Sequence, residues 1–166
     1  KREQAVFPPQ VFTPEALVAQ AAGGEAATRL ESLLAWAAVC GEIALEEFRD
    51  VFPIYPPQRN FAWALRLAEQ FARLQATLAE AGLTIADVVA RTGADFPETE
   101  RWSQLGELER RHAEKLAELD LVDAQAAKIA AANHPEVDEA VKKIVVLGTP
   151  DPLPLAIGVL TGLAAT

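Results

Sequence analysis

The chain has 166 residues, enough for one domain with a sizeable core. Hydrophobic residues make up 51% of it and aromatic residues only 7%, so alanine and leucine supply most of the apolar content, as in helix packing. The formal charge of −9 sets the domain as a whole against phosphate and excludes a strongly basic, free-standing nucleic-acid binder. The single cysteine, Cys40, excludes an internal disulfide and fits a reducing, cytoplasmic compartment, and no apolar run approaches the length of a membrane span.

In chain order, Phe7-Pro8-Pro9-Gln10-Val11-Phe12 reads as a proline-stiffened lead into a very short strand over residues 10–12. Thr13-Pro14-Glu15 has the chemistry of a helix start: an oxygen to cap the first turn, proline in the next position, then an acid. A second helix is expected over residues 25–40, with Leu30, Leu33, Leu34 and Ala37 on its inner face. Leu45, Phe48 and Phe52 follow as a short amphipathic turn, and the prolines at 53, 56 and 57 make a stiff connector. Asn60 then caps a long helix with a stripe of Phe61, Leu65, Ala68, Phe71, Leu74 and Leu78, closed by Gly82. Thr84-Ile85-Ala86-Asp87 reads as a capping box opening a two-turn helix. The longest helix is expected from Glu98 to about Leu119, facing inwards with Trp102, Leu105, Leu108, His112, Leu116 and Leu119 and packing against the Phe61–Leu78 stripe. Asp123 caps an alanine-rich helix that ends at Asn133-His134-Pro135.

The end of the chain changes character. Ile144-Val145-Val146-Leu147 is an unbroken apolar run, the composition of a strand buried on both faces. Gly148-Thr149-Pro150 breaks it, after which Asp151 is placed to cap a helix with Pro152 in the first position and Leu153, Ile157 and Leu160 on one face. Strand, loop and helix in that order build parallel sheets. The expected fold is therefore mainly α with a minimal parallel β element, one buried strand closing a long helical excursion, and residues 1–166 read as one unit. The chain begins at Lys1, contains no methionine and stops at Thr166 in what reads as an unfinished helix, the pattern expected of a piece cut from a longer protein.

No catalytic constellation stands out. His112 sits in an apolar stripe and reads as a buried structural histidine, whereas His134 precedes a proline at a helix end. With one cysteine and two distant histidines, none of the short spacings of metal sites occurs, so no metal and no cofactor are expected. The acidic groups at Glu46-Glu47, Glu98/Glu100 and Glu107/Glu109 read as solvated helix surface, and Arg110-Arg111 with Lys115 as a salt-bridged face. Gly23-Gly24 lacks the lysine of a phosphate-binding loop.

The order Arg101-Trp102, Leu119-Asp120-Leu121-Val122-Asp123, an alanine-rich helix and Ile144-Val145-Val146-Leu147-Gly148-Thr149-Pro150-Asp151-Pro152-Leu153-Pro154 resembles the AddB-type subunit of bacterial ATP-dependent helicase–nuclease complexes. Pro9-Gln10-Val11-Phe12-Thr13-Pro14-Glu15-Ala16-Leu17 is similar to the early part of its helicase-like region. The resemblance covers most of the chain and is strongest from residue 98 to 166. It implies that residues 10–12 and 144–147 pair as parallel strands, that residues 10–24 and 142–166 are an α/β remnant of a helicase-like core, and that residues 25–141 are a helical lobe inserted between them. It implies a parent hydrolase, an ATP-dependent exonuclease subunit, with a superfamily-one-like region at one end and a PD-(D/E)xK nuclease domain at the other, acting in double-strand-break repair. Its implied partners are a motor/nuclease subunit and DNA. An active motor carries an aspartate–glutamate pair at the tip of its second strand, where this chain reads Gly148-Thr149, with Asp151 a few residues on. Those degenerate positions imply a segment without a catalytic centre of its own. No DNA-reading residue of the family maps onto it. A different class, an independent acidic helical module for protein interaction or regulation, fits the same composition.

Overall fold

In a computed structural model, residues 10–21, 26–56, 58–93, 95–135, 141, 143–148 and 150–164 are described. They hold α1 (Pro14–Ala21), α2 (Arg29–Glu42), a 3-10 turn (Leu45–Glu47), α3 (Phe61–Glu80), α4 (Ile85–Arg91), α5 (Thr99–Ala117), α6 (Ala124–Asn133) and α7 (Pro154–Ala164). The mainly helical class expected from the sequence is the class observed.

Local chemistry sets the helix ends. Thr13 Oγ1 accepts from the Ala16 N–H at 3.2 Å, opening α1. Asn60 caps α3 through the Trp63 N–H, and Thr84 and Asp87 cap each other's backbone at α4, as their spacing suggests. Beyond α3, the N–H groups of Gly82 and Leu83 return to the carbonyls of Ala79 and Leu78, with Gly82 at φ +71. The same closure ends α5, where Asp120 occupies the left-handed position at φ +58 without glycine's freedom. Arg59 finishes α2 from outside, its Nη2 donating to the carbonyls of Cys40, Gly41 and Ile43 while its guanidinium lies over the Trp63 ring.

Two helical bodies result. In the larger, α2 lies between α3 and α5, and α4 covers α5. Its core is built on Trp36, Phe48, Phe71, Ile85 and Leu108. The Trp36 ring meets Phe71 at 5.3 Å, and Phe48 is roofed by the Arg111 guanidinium at 4.9 Å. In the smaller, α1, α6 and α7 pack around Val18, Ala132, Leu155, Ala156 and Val159 and lean on α3. At Gly106 a Cβ would lie 3.3 Å from the α4 backbone, a tight approach, and at Gly162 it would lie 2.6 Å from the Pro135 ring beyond the end of α6, which would have to shift.

Several expectations are corrected. Residues 10–12 and 144–147 are irregular rather than strands, and the β pairing among the described residues is an isolated parallel bridge, Ala26 to Val122. Val11, Val145 and Val146 are exposed, and no described residue supplies the neighbouring strands that the composition suits. Asp151 caps no helix: the Ile157 N–H bonds the Leu153 carbonyl, and α7 starts at Pro154, two residues later than expected. Its buried face is accordingly Leu155, Ala156 and Val159, with Ile157 exposed.

The inner face of α2 is likewise rotated. Leu30 and Leu34 point outwards because burying Trp36, Val39 and Cys40 between two neighbours removes more apolar surface from water. On α3 the buried line is Ala64, Ala68, Phe71, Gln75 and Ala79, with the leucines beside it and Phe61 exposed, since small residues let α2 approach. α5 lies against α2 and α4 rather than along α3, which leaves Trp102 half-buried at the core's edge and Leu119 exposed. Residues 1–9, 22–25, 136–140, 142 and 149 lie outside the described set, and with them parts of the expected remnant boundaries.

Candidate functional site

The densest polar chemistry lies where α2, α5 and α6 meet. His112 shares the inner face of α5 with Leu105, Leu108 and Leu116 and is fully buried. Its ring stacks on Trp36 of α2, with centroids 4.3 Å apart and planes 8° from parallel. Nε2 lies 3.2 Å from both the Ser32 hydroxyl and the Ser32 carbonyl oxygen. Nδ1 faces the Asp123 carboxylate at 3.8 Å to Oδ2. That is too long for a hydrogen bond, and neither atom has another partner. Asp123 is only 5% exposed and uses Oδ1 to accept from the Gln125 and Ala126 N–H groups at 2.9 and 2.8 Å, capping α6.

A second chain of contacts leads away from the same tryptophan. Trp36 Nε1–H donates to Gln75 Oε1 at 3.4 Å, and Gln75 Nε2–H to Glu109 Oε1 at 3.3 Å. Glu109 then accepts from the first N–H groups of α4, Ile85 and Ala86, both at 3.2 Å. A carboxylate on one helix thereby caps another, where the helix dipole favours it. Glu109 and Asp123 also line an open groove of about 280 Å³ between α5 and the start of α6, walled by Gly106, Ala113 and Ala126.

Burial pushes His112 below its ordinary range, against the opposing pull of the Asp123 charge and the Ser32 carbonyl. Burial also raises Glu109, despite the N–H groups it accepts, and holds the Cys40 thiol up at about 12, leaving it an inert core residue. On the surface, Arg110 and then Arg111 hold Glu107 down at about 2. Arg110 also pairs with Glu114, and Lys115 with Glu42 and Glu118, so the basic cluster is the salt-bridged face expected of it.

Ser32, His112 and Asp123 are the residue types of a hydrolytic triad, but their geometry serves another end. A triad histidine takes the serine proton at Nε2 and is steered by a carboxylate on Nδ1–H. Here Nε2 is shared between the Ser32 hydroxyl and carbonyl, Nδ1 lies 3.8 Å from the carboxylate that should steer it, and the buried ring is stacked on Trp36. The constellation ties α5 to α2 through Ser32 and Trp36 and sets the Asp123 cap of α6 beside the ring.

Of the sequence-derived positions, Gly148 is exposed at φ +59, Asp151 is exposed, and Thr149 lies outside the described residues. None joins the His112 contacts. His134 is exposed at the end of α6. Sequence reading did not find Ser32, Trp36, Gln75 or Glu109 as a set. The one available signal was Gln75, a polar residue one turn after Phe71 on an otherwise apolar stripe. Among the described residues no group of three His, Cys, Asp or Glu side chains could hold a metal ion, and no helix is long and apolar enough to cross a membrane. No family model, curated protein or solved structure matches the chain.

Proposed function

We propose that this chain is the helicase-like scaffold segment of an AddB-type subunit, acting in double-strand-break repair beside a motor/nuclease partner in the cytoplasm. The supporting observation is one of placement. The two stretches that the resemblance makes strands of a motor-like core, residues 10–12 and 144–147, flank the helical body in sequence and carry exposed apolar side chains. Val145 and Val146 are 58% and 57% exposed in a run whose composition suits a strand covered on both faces. In the assembled subunit that run pairs in a parallel sheet, and the helices form the lobe inserted between its strands. Gly148-Thr149, where a motor needs two metal-holding acids, with Asp151 only a few residues on, fits a scaffold that leaves ATP hydrolysis to its partner.

Isolation of the tagged protein from its own cells tests this reading. An ATP-dependent activity that degrades linear but not closed circular duplex DNA should co-purify with it and be absent from the purified chain. Recovery without that activity, in a self-associated form, would instead favour the acidic interaction module, whose docking face would be the exposed Leu30 and Leu34 of α2.

A further inference from the structure

His112 Nδ1 and Asp123 Oδ2 are both buried, face each other and lack a hydrogen-bond partner. Buried polar atoms are rarely left so, because each forgoes its hydration without compensation. Nε2 lies 3.2 Å from the Ser32 carbonyl, which can only accept, and with the ring hydrogen placed there a neutral ring presents its Nδ1 lone pair to a carboxylate oxygen, acceptor against acceptor. One proton satisfies both atoms. Taken from solvent onto Nδ1, it turns imidazole into imidazolium, and Nδ1–H donates to Oδ2.

The contact also has a mechanical consequence. Asp123 is the cap of α6, and its other oxygen already holds the Gln125 and Ala126 N–H groups. Drawing Oδ2 towards His112 draws the first turn of α6 towards α5. Helix α6 belongs to the small α1–α6–α7 body, whereas His112 belongs to the large one.

We propose that His112 and Asp123 form a proton-operated latch that sets how the α1–α6–α7 body seats on the α2–α5 body. The surroundings leave the proton to this pair. From α2 the ring meets Ser32 and Trp36, both uncharged. From α3, uncharged Gln75 is held by Trp36 and Glu109. On α5 itself, Glu109 is engaged by the α4 N–H groups and Lys115 by Glu42 and Glu118. From α6 the charge is Asp123. The stacked indole favours a cation on the ring, while burial opposes it, so the latch closes on the acid side of neutrality.

An NMR titration of the folded chain between about pH 8 and 4.5 tests this. The His112 ring and the Gln125 and Ala126 amides should move together with one midpoint below 6.5, the ordinary histidine value. In Asp123→Asn, which keeps an oxygen to cap α6, the His112 midpoint should fall further and the two amides should stop following it. In His112→Gln the amides should lose the same transition. The latch is overturned if His112 stays unprotonated throughout, if it titrates while Gln125 and Ala126 stay still, or if their transition survives in either variant.

Discussion

The two helical bodies are held by different means. The α2–α5 body is organised around one large ring: Trp36 is fully buried, touches Phe71 and His112, and hydrogen-bonds Gln75. Among the described residues, the core of the α1–α6–α7 body holds no aromatic side chain and depends on alanine, valine and leucine. Stability therefore concentrates in the first. The second body rests on smaller side chains. Each substitution below probes that division.

The largest effect is expected at Trp36. Trp36→Ala should cost about 3–5 kcal/mol in denaturant unfolding, while Val159→Ala in the small body should cost about 2 kcal/mol. Equal losses would erase the distinction. Trp102→Ala, half-buried at the edge, should fall well below Trp36→Ala. Gly162→Ala should cost about 1–3 kcal/mol by driving α7 off Pro135, and the loss should be absorbed in the small body alone, with amide exchange in α2 and α3 unchanged.

Acid comes next. Because burial lowers His112 relative to the unfolded chain, the folded state favours the neutral ring. Its contribution is complete above 6.5 and is lost as pH falls from there through the lower folded value. One proton limits the slope to about 1.4 kcal/mol per pH unit. His112→Gln should remove this part of the pH profile. Asp120→Gly, which relieves a side chain at φ +58, should stabilise by about 0.5–1 kcal/mol. Val145→Asp should change the chain's stability by less than about 0.5 kcal/mol, since its side chain is already in water.

What the sequence made legible was chiefly what is decided within a few residues. The caps at Thr13, Asn60, Thr84 and Asp123 and the closure at Gly82 need only a side chain and the next turn of backbone. Helix faces were less legible. Leu30 and Leu34 are as apolar as the residues that displace them, and only the presence of both α3 and α5 beside α2 decides in favour of Trp36, Val39 and Cys40. The expected start of α7 at Pro152 gives way to Pro154, from which Leu155, Ala156 and Val159 are buried. Burial of His112 was legible from its stripe, but its partners were not, because Ser32 is 80 residues away in sequence. Strands were least legible of all, since a strand needs a neighbour that composition cannot supply.

The central claim is that the helical body stands on its own while residues 144–147 become a strand only within a larger assembly. Hydrogen exchange at the Ile144, Val145 and Val146 amides tests it directly, comparing the purified chain with the complex recovered from its cells. Amides inside α2 and α3 should be protected in both samples, and those of Ile144, Val145 and Val146 only in the complex. Rapid exchange of these three amides in both would contradict the account.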